Sequence, residues 1–323
     1  MKIRANNIDI EVEDTGSGWG HGPASGGDYR PAVLLIMGLG MQLVAFPASL
    51  VQGLVDAGYR VIRHDNRDVG LSQRLEALGK PNLLWQSLKY KLGLQPKSPY
   101  SLRDMAADSL GVLDALGISQ AHVVGVSMGG MIAQRMALAA PHRVLSLTSV
   151  MSTSSAKGLP QARPEVIRAL FKRPANASVQ AVMDHYVMLF KVIGSPAYPT
   201  PETEQRERIA LAYQRGFYPV GTLRQMLAVL ADTTRATELP RITAPTLVLH
   251  GKADPLVPFA CGEDTARRIP GARLVGIEGM GHDLPPTPVA QMLAELILHL
   301  RAADAGAVTS QTLTPALSQR ARG

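Results

Sequence analysis

Three residues that could together perform acyl transfer stand far apart in this sequence of 323 residues. Ser127 lies in the run Gly125-Val126-Ser127-Met128-Gly129, and this Gly-x-Ser-x-Gly pattern is typical of a nucleophilic serine on a sharp turn. Such a serine needs a base to accept its proton and an acid to orient that base. Asp254 and His282 follow Ser127 in the order acid, then histidine. The sequence therefore predicts a Ser127–Asp254–His282 catalytic triad.

Apolar runs rich in β-branched residues place each of the three residues just beyond a predicted strand. These predicted strands are Val123–Val126, Thr246–His250 and Ala272–Ile277. A helix is expected to follow the serine turn over Met131–Ala139. The carboxyl ends of parallel strands meet at one edge of a sheet, so the three side chains are expected to come together there.

Other polar residues fit this arrangement less well. Asp68 and Asp104 are carboxylates, but both precede the nucleophile and so break the expected order. His250 is expected to lie within or at the end of its strand, and we assign it no catalytic role. The polar segment from His64 to Ser72 is expected to form a self-bonded turn beneath the site.

An oxyanion formed by attack of Ser127 on a carbonyl would need two preorganised donors. The backbone N–H of Met128, at the start of the helix after the serine, is one candidate. The second is the N–H of Leu39, because Gly38 allows the backbone after the predicted strand Ala32–Met37 to turn towards the serine. The candidate pocket residues are apolar or small and comprise Met37, Gly38, Met41, Tyr186 and Phe217.

The remaining pattern predicts an α/β architecture interrupted by a helical cap. Residues 3–13 alternate as an antiparallel opening hairpin, and residues 16–30, rich in glycine, form a loop. Strands and helices then alternate to Val150, after which residues 152–239 are mostly helical. The sequence thus predicts a mostly parallel eight-stranded sheet flanked by helices. Its core is residues 1–151 and 240–303, its cap is residues 152–239, and residues 304–323 form a disordered tail.

Composition excludes several other classes of protein. The chain has 46% hydrophobic and 18% charged residues, as globular domains do, and no apolar run approaches the ~20 residues of a membrane-spanning helix. Its net charge of +7 is scattered without a nucleic-acid motif. The single cysteine, Cys261, forbids an internal disulfide. Residues 1–7 lead directly into the predicted opening strand without an apolar signal region, so a cytoplasmic location is expected. Residues 82–92 are amphipathic and basic. They could lie on a membrane surface or pack beside the entrance of the site.

The motifs resemble those of the α/β-hydrolase superfamily over nearly all of residues 1–303, and in particular its aclacinomycin methylesterase-like branch. The runs that carry this resemblance are Ile36–Gly40, Asp65–Ser72, Gly125–Gly130 and Gly279–His282. The resemblance implies an α/β-hydrolase fold with a helical cap, an ester-hydrolysing activity and the same three triad residues. It carries acyl hydrolysis over to this chain, but not the anthracycline substrate.

These residues are compatible with three functions. The leading one is a serine hydrolase that cleaves a methyl ester or a small to medium hydrophobic ester without a cofactor or metal. A lactonase of the enol-lactone type, or a perhydrolase, would use the same triad, because one acyl-enzyme serves all three reactions. A non-catalytic ligand receptor on the same scaffold is the third. The expected partner is a small-molecule ester, with no nucleic acid and no stable membrane insertion, and a homodimer is left open.

Overall fold

Eight strands form a single sheet in the part of the chain that the computed structural model describes, namely residues 1–16, 30–172, 174–176 and 178–320, with side chains up to residue 306. The strands are β1 (Lys2–Ala5), β2 (Ile8–Asp14), β3 (Ala32–Ile36), β4 (Arg60–His64), β5 (Ala121–Val126), β6 (Val144–Val150), β7 (Thr246–Gly251) and β8 (Arg273–Ile277). Their order is β1-β2-β4-β3-β5-β6-β7-β8. The pairs β1–β2 and β2–β4 are antiparallel, and the other pairs are parallel. The predicted hairpin and mostly parallel eight-stranded sheet are therefore confirmed.

Helices cover both faces of the sheet. The helices outside the segment between β6 and β7 are α1 (Ala48–Asp56), α2 (Leu83–Lys91), α3 (Leu102–Ala115), α4 (Met128–Ala139), α10 (Phe259–Arg268) and α11 (Pro286–Arg320). Alternate residues of β3 show why both faces must be covered. Leu34 and Ile36 pack in a core with α3 and α4, while Val33 and Leu35 pack in a second core with α1 and α11. A continuous apolar run is what a strand buried on both faces requires.

Local sequence signals explain where two of these helices begin. Ser101 accepts a hydrogen bond from the Asp104 N–H, and the Asp104 carboxylate accepts one from the Ser101 N–H, so the predicted capping box opens α3. Helix α4 begins at Met128, three residues earlier than expected. The Gly130 N–H donates to the Ser127 carbonyl at 2.9 Å, so the glycine pair lies in the first helical turn instead of preceding it.

Between β6 and β7 the described residues form five α-helices, and we call residues 152–239 the helical insertion. They are α5 (Pro164–Phe171), α6 (Val179–Ile193), α7 (Glu202–Gly216), α8 (Pro219–Ala231) and α9 (Arg235–Glu238). This is the position and helical content that the sequence predicts for the cap. The division of the chain into a core and a separate cap domain stays a prediction.

The C-terminal tail differs from its prediction at its first residue, and the glycine-rich loop cannot be compared with its prediction. The predicted tail begins at residue 304, yet Asp304 belongs to α11 and accepts hydrogen bonds from Tyr59 and His122. Its first residue is therefore tied to the fold through the side chain. Side chains from residue 307 onwards lie outside the described residues, and disorder there stays a prediction. Most of the expected glycine-rich loop, residues 17–29, also lies outside them.

Candidate active site

Ser127 occupies a strained turn between β5 and α4. Its backbone is left-handed, with φ 55° and ψ −118°, a conformation that a serine adopts only when its surroundings impose it. A Cβ at Gly125 would lie 2.1 Å from the Gly129 carbonyl oxygen, and a Cβ at Gly129 would lie 2.0 Å from the Ile36 oxygen. The Ser127 N–H donates to the Val150 carbonyl at 2.8 Å. The two glycines thus allow the close backbone contacts that keep the serine in this turn.

Asp254 and His282 reach Ser127 from the loops that follow β7 and β8. The Ser127 hydroxyl lies 3.0 Å from His282 Nε2, and His282 Nδ1 lies 2.7 Å from Asp254 Oδ2. A carboxylate only accepts, so Nδ1 carries the proton and Nε2 is the acceptor for the serine hydroxyl. The second Asp254 oxygen accepts from the N–H groups of Leu256 and Val257 at 2.9 and 2.8 Å. The structure brings the three predicted residues together in the order that proton transfer from Ser127 requires.

His250 lies beside this chain of hydrogen bonds but outside it. Its Nε2 donates to the Val257 carbonyl at 2.7 Å and is 3.7 Å from Asp254 Oδ2. Burial lowers the pKa of His250, because desolvation disfavours the charged imidazolium. His250 therefore packs behind the carboxylate, as its predicted place in the strand indicated.

The loop that carries His282 is docked on the end of α6 in the helical insertion. The His282 N–H donates to the Ile193 carbonyl at 2.7 Å, and the Gly281 N–H donates to the Ser195 hydroxyl at 2.9 Å. Ser195 in turn donates to the Asp283 carboxylate, whose pKa burial raises. These contacts were absent from the sequence prediction. They make the position of the histidine depend on the helical insertion.

The two candidate oxyanion donors belong to the start of α4 and to the loop after β3. A Cβ at Gly38 would lie 3.1 Å from the Ser127 Cβ, so glycine is what lets the loop after β3 pass close to the serine. Within the described residues, no acceptor pairs with the N–H of Leu39 or of Met128. An oxyanion needs two such unpaired donors, and here one directly follows the serine in the chain while the other directly follows Gly38.

The Gln225 side chain of the helical insertion links two loops of the core. The Gln225 side chain accepts from the Gly40 N–H at 2.9 Å and donates to the Arg67 carbonyl at 2.8 Å. It thereby joins the Leu39 loop to the polar turn at residues 64–72. The sequence did contain a signal for this region, because Arg224 and Gln225 interrupt an apolar stretch of α8 and buried polar groups need partners.

The polar turn at residues 64–72 is tied down more widely than a self-bonded turn would be. Asp65 accepts from the Leu71 N–H within the turn, as expected, but also from the Arg215 side chain of α7. Burial raises the pKa of Asp65, while its hydrogen bonds and Arg215 oppose that shift. Arg67 pairs with Asp108 of α3 at 2.6 Å. The turn is therefore a junction between the sheet, α3 and the helical insertion.

The predicted pocket residues divide into two groups. Gly38 touches the site, and Met37 and Met41 pack with the second core at the end of β3. Tyr186 and Phe217 meet edge to face in the helical insertion, with ring centroids 6.1 Å apart. That these two aromatic rings line a substrate pocket stays a prediction.

Comparisons with known proteins agree with this geometry. A family model described as the alpha/beta hydrolase fold matches residues 31–287. The chain is 32% identical over 291 residues to rhodomycin D methylesterase of Streptomyces peucetius, which covers 84% of this chain and 91% of that enzyme. A solved meta-cleavage product hydrolase from Pseudomonas fluorescens IP01 has a TM-score of 0.70 at 20% identity, covering 94% and 98% of the two chains. An enol-lactonase from Burkholderia xenovorans LB400 has a TM-score of 0.64 at 21% identity, covering 93% and 100%. These two structures share the fold.

Proposed function

Since the chain belongs to the α/β-hydrolase family, we propose that it hydrolyses carboxylic esters through an acyl-enzyme formed on Ser127. The observation that carries this proposal is the pair of hydrogen bonds from the Ser127 hydroxyl through His282 to Asp254. The identity with a methylesterase over most of both chains supports an ester as the substrate class. A methyl ester or a small to medium hydrophobic ester is the proposed substrate.

The reaction begins when Ser127 Oγ attacks the ester carbonyl and its proton passes to His282 Nε2. Asp254 orients the ring and stabilises the imidazolium that forms. His282 then gives the proton to the departing alcohol, which leaves an acyl group on Ser127. Water then loses a proton to His282 and attacks the acyl carbonyl. The bond between the acyl carbon and Ser127 Oγ breaks as His282 returns the proton to Ser127 Oγ, which releases the carboxylic acid and restores the free enzyme. Each group that reacts in these steps belongs to the protein, the ester or water, so the proposed reaction uses no cofactor.

The N–H groups of Met128 and Leu39 are proposed to hold the negatively charged oxygen during each attack. Met128 is the first residue of α4, where the helix dipole also favours negative charge. Both donors are fixed by backbone and so need no reorganisation when the charge develops. We further propose the helical insertion as a cap that carries the apolar pocket. A cytoplasmic location and a homodimer stay predictions.

The proposal is tested with a chain-length series of p-nitrophenyl esters. We expect the native protein to release p-nitrophenolate and Ser127→Ala to release none above the uncatalysed rate, because the nucleophile is missing. Ser49→Ala, on an exposed serine of α1, is the matched control and should retain native turnover. Turnover by a folded Ser127→Ala protein would contradict the proposal. Hydrolysis of a lactone panel, with all open-chain esters untouched, would replace it with lactonase chemistry.

Gln225 is predicted to position the Leu39 donor without touching the substrate. Gln225→Met removes both of its hydrogen bonds at nearly constant volume, and we expect kcat to fall about tenfold with little change in KM. Loss of one oxyanion donor itself costs about 10²- to 10³-fold in kcat, so an indirect effect should be smaller. Gln180→Met, at an exposed position of α6, is the matched control.

The distinguishing measurement for Gln225 is the affinity for a boronic acid, which mimics the tetrahedral intermediate. If Gln225 positions the donor, affinity for the boronic acid and kcat should fall by similar factors in Gln225→Met. A lower melting temperature with unchanged kcat and unchanged inhibitor affinity would show that Gln225 only supports the fold.

A further inference from the structure

One surface segment of this protein exposes large apolar side chains that neither core uses. None of the nine residues of α2 is buried. Around this helix, Leu84 is 78% exposed, Trp85 53%, Leu88 47% and Leu92 66%. Single exposed leucines are ordinary. Four large apolar side chains within nine consecutive residues form an apolar patch whose exposure to water is unfavourable in free energy.

These four side chains point in one direction. At about 100° per residue, Leu84, Trp85, Leu88 and the helix-capping Leu92 fall within an arc of about 100°. We call these four residues the α2 stripe. Lys89 and Lys91 lie within about 40° of its two edges on the same scale. The Lys89 ammonium is 5.7 Å from the Trp85 ring centroid, which places a positive charge against the stripe.

The segment around α2 carries positive charge and has no acidic residue of its own to neutralise it. Residues 77–103 contain no aspartate or glutamate and five basic residues, which are Lys80, Lys89, Lys91, Lys97 and Arg103. Arg103 pairs with Glu238. Within the described residues, the four lysines form no ion pair. An apolar stripe with unpaired lysines at its edges is complementary to a surface that is apolar inside and anionic outside.

The fold holds this segment in place by other contacts than the stripe. The Asn82 side chain caps α2 by accepting from the Trp85 N–H at 3.0 Å. Gln95 donates to the Ala231 carbonyl at 2.8 Å and accepts from the Thr233 hydroxyl at 3.0 Å, which ties the segment to the end of α8. The stripe is therefore available to a partner, and changing it should leave the fold intact.

We propose that the α2 stripe and its lysines dock this protein on the surface of an anionic phospholipid bilayer. Leucine and tryptophan side chains enter the boundary between headgroups and acyl chains, and lysines reach the phosphates from its edges. A second copy of this chain is a poorer occupant, because two stripes face to face would bring like charges together. Within the part of the chain that the structure describes, no helix has the length and hydrophobicity that spanning a bilayer requires.

The test measures partition of the full chain into vesicles of phosphatidylglycerol and phosphatidylcholine, against vesicles of phosphatidylcholine alone. Because the sequence holds two tryptophans, a Trp19→Phe background makes Trp85 the only indole. We expect its emission to shift to the blue on anionic vesicles, and binding to weaken as salt increases. Lys89→Gln with Lys91→Gln should weaken partition about 25-fold, from about fivefold per lysine near an anionic surface.

Leu84→Ser with Leu88→Ser should abolish the blue shift, whereas p-nitrophenyl ester turnover in solution should stay native in all of these variants. The matched controls are Leu298→Ser, on a side chain 62% exposed on α11, and Lys2→Gln on β1. Equal binding to neutral and anionic vesicles, or binding unaffected by the stripe variants, would overturn the proposal. Concentration-dependent dimerisation that the leucine variants abolish would assign the stripe to a second copy instead. Loss of ester turnover alone would bear on the proposed function and not on docking.

Discussion

His282→Ala is expected to lower kcat for a p-nitrophenyl ester by about 10⁶, and Asp254→Asn by about 10⁴. Without the imidazole, no other group of the described residues lies within hydrogen-bond distance of Ser127 Oγ to take its proton, since Nε2 is the group that lies 3.0 Å away. The two losses should not add. Removing the acid and the base together should cost about as much as removing the base alone, because they act as one unit.

We expect Asp254→Asn to lower kcat because it changes the tautomer of His282. Asp254 Oδ1 accepts from the N–H groups of Leu256 and Val257, so the amide oxygen of an asparagine would take that side. The amide NH₂ would then face His282 Nδ1, which can only accept from it. The ring proton would move to Nε2, which could no longer accept the proton of Ser127. The substitution changes few contacts but reverses the direction of one hydrogen bond.

Single-turnover kinetics with an activated ester measure these losses in the acylation step. His142→Ala, on an exposed histidine outside the site, is the control for the loss of an imidazole. Far-ultraviolet circular dichroism must show native folding in each variant. An Asp254→Asn protein that keeps more than a tenth of the native kcat would remove Asp254 from the mechanism. Another carboxylate would then have to orient His282.

The sequence could predict most of the sheet and the three central side chains for a simple physical reason. Buried parallel strands need continuous apolar runs, and such runs are visible at Ala32–Ile36, Val123–Val126 and Leu247–Leu249. Residues just after their carboxyl ends must gather at one edge. Ser127 could be predicted because its turn forces glycine at positions 125 and 129, where a Cβ would strike backbone atoms.

The contacts of the helical insertion could not be predicted in the same way. Ser195 bonds to Gly281 across 86 residues of chain, and Gln225 bonds to Gly40 across 185. Neither pair lies in a repeating pattern that fixes its partner. Hydrophobic periodicity identifies which face of a helix is buried, but not which polar atom on another element it will meet. The helices of residues 152–239 were therefore predictable as helices, and their effect on the site was not.

Through those contacts the helical insertion holds two separate loops of the proposed active site. The end of α6 holds the His282 loop through Ile193 and Ser195, and α8 holds the Leu39 loop through Gln225. The proposed base and one proposed oxyanion donor are thus positioned from the same insertion. It follows that substitutions in the insertion can change kcat without touching a reacting atom.

Arg224→Met is expected to lower the free energy of unfolding by about 3–5 kcal/mol, since it leaves a buried carboxylate without its counter-charge. The Arg224 and Asp68 side chains are both fully buried, and two parallel hydrogen bonds of 2.8 Å join them. Arg224 also donates to the Gly79 carbonyl at 2.6 Å and to the Tyr218 hydroxyl at 2.9 Å. One guanidinium thus joins α8 to the polar turn and to the segment that leads into α2.

A double-mutant cycle in urea separates the ion pair from the rest of this effect. Asp68→Asn keeps a residue that tolerates the left-handed backbone at this position, where φ is 66°. Asp68→Asn combined with Arg224→Met buries no charge, so it should recover part of what the single variants lose. Arg4→Met, which breaks the exposed pair with Asp9 at 2.9 Å, is the control and should cost less than about 1 kcal/mol. If Arg224→Met costs no more than Arg4→Met, the buried pair does not hold the insertion on the sheet. The coupling between the insertion and the site would then rest on its other contacts, which include those of Gln225, Ser195 and Ile193.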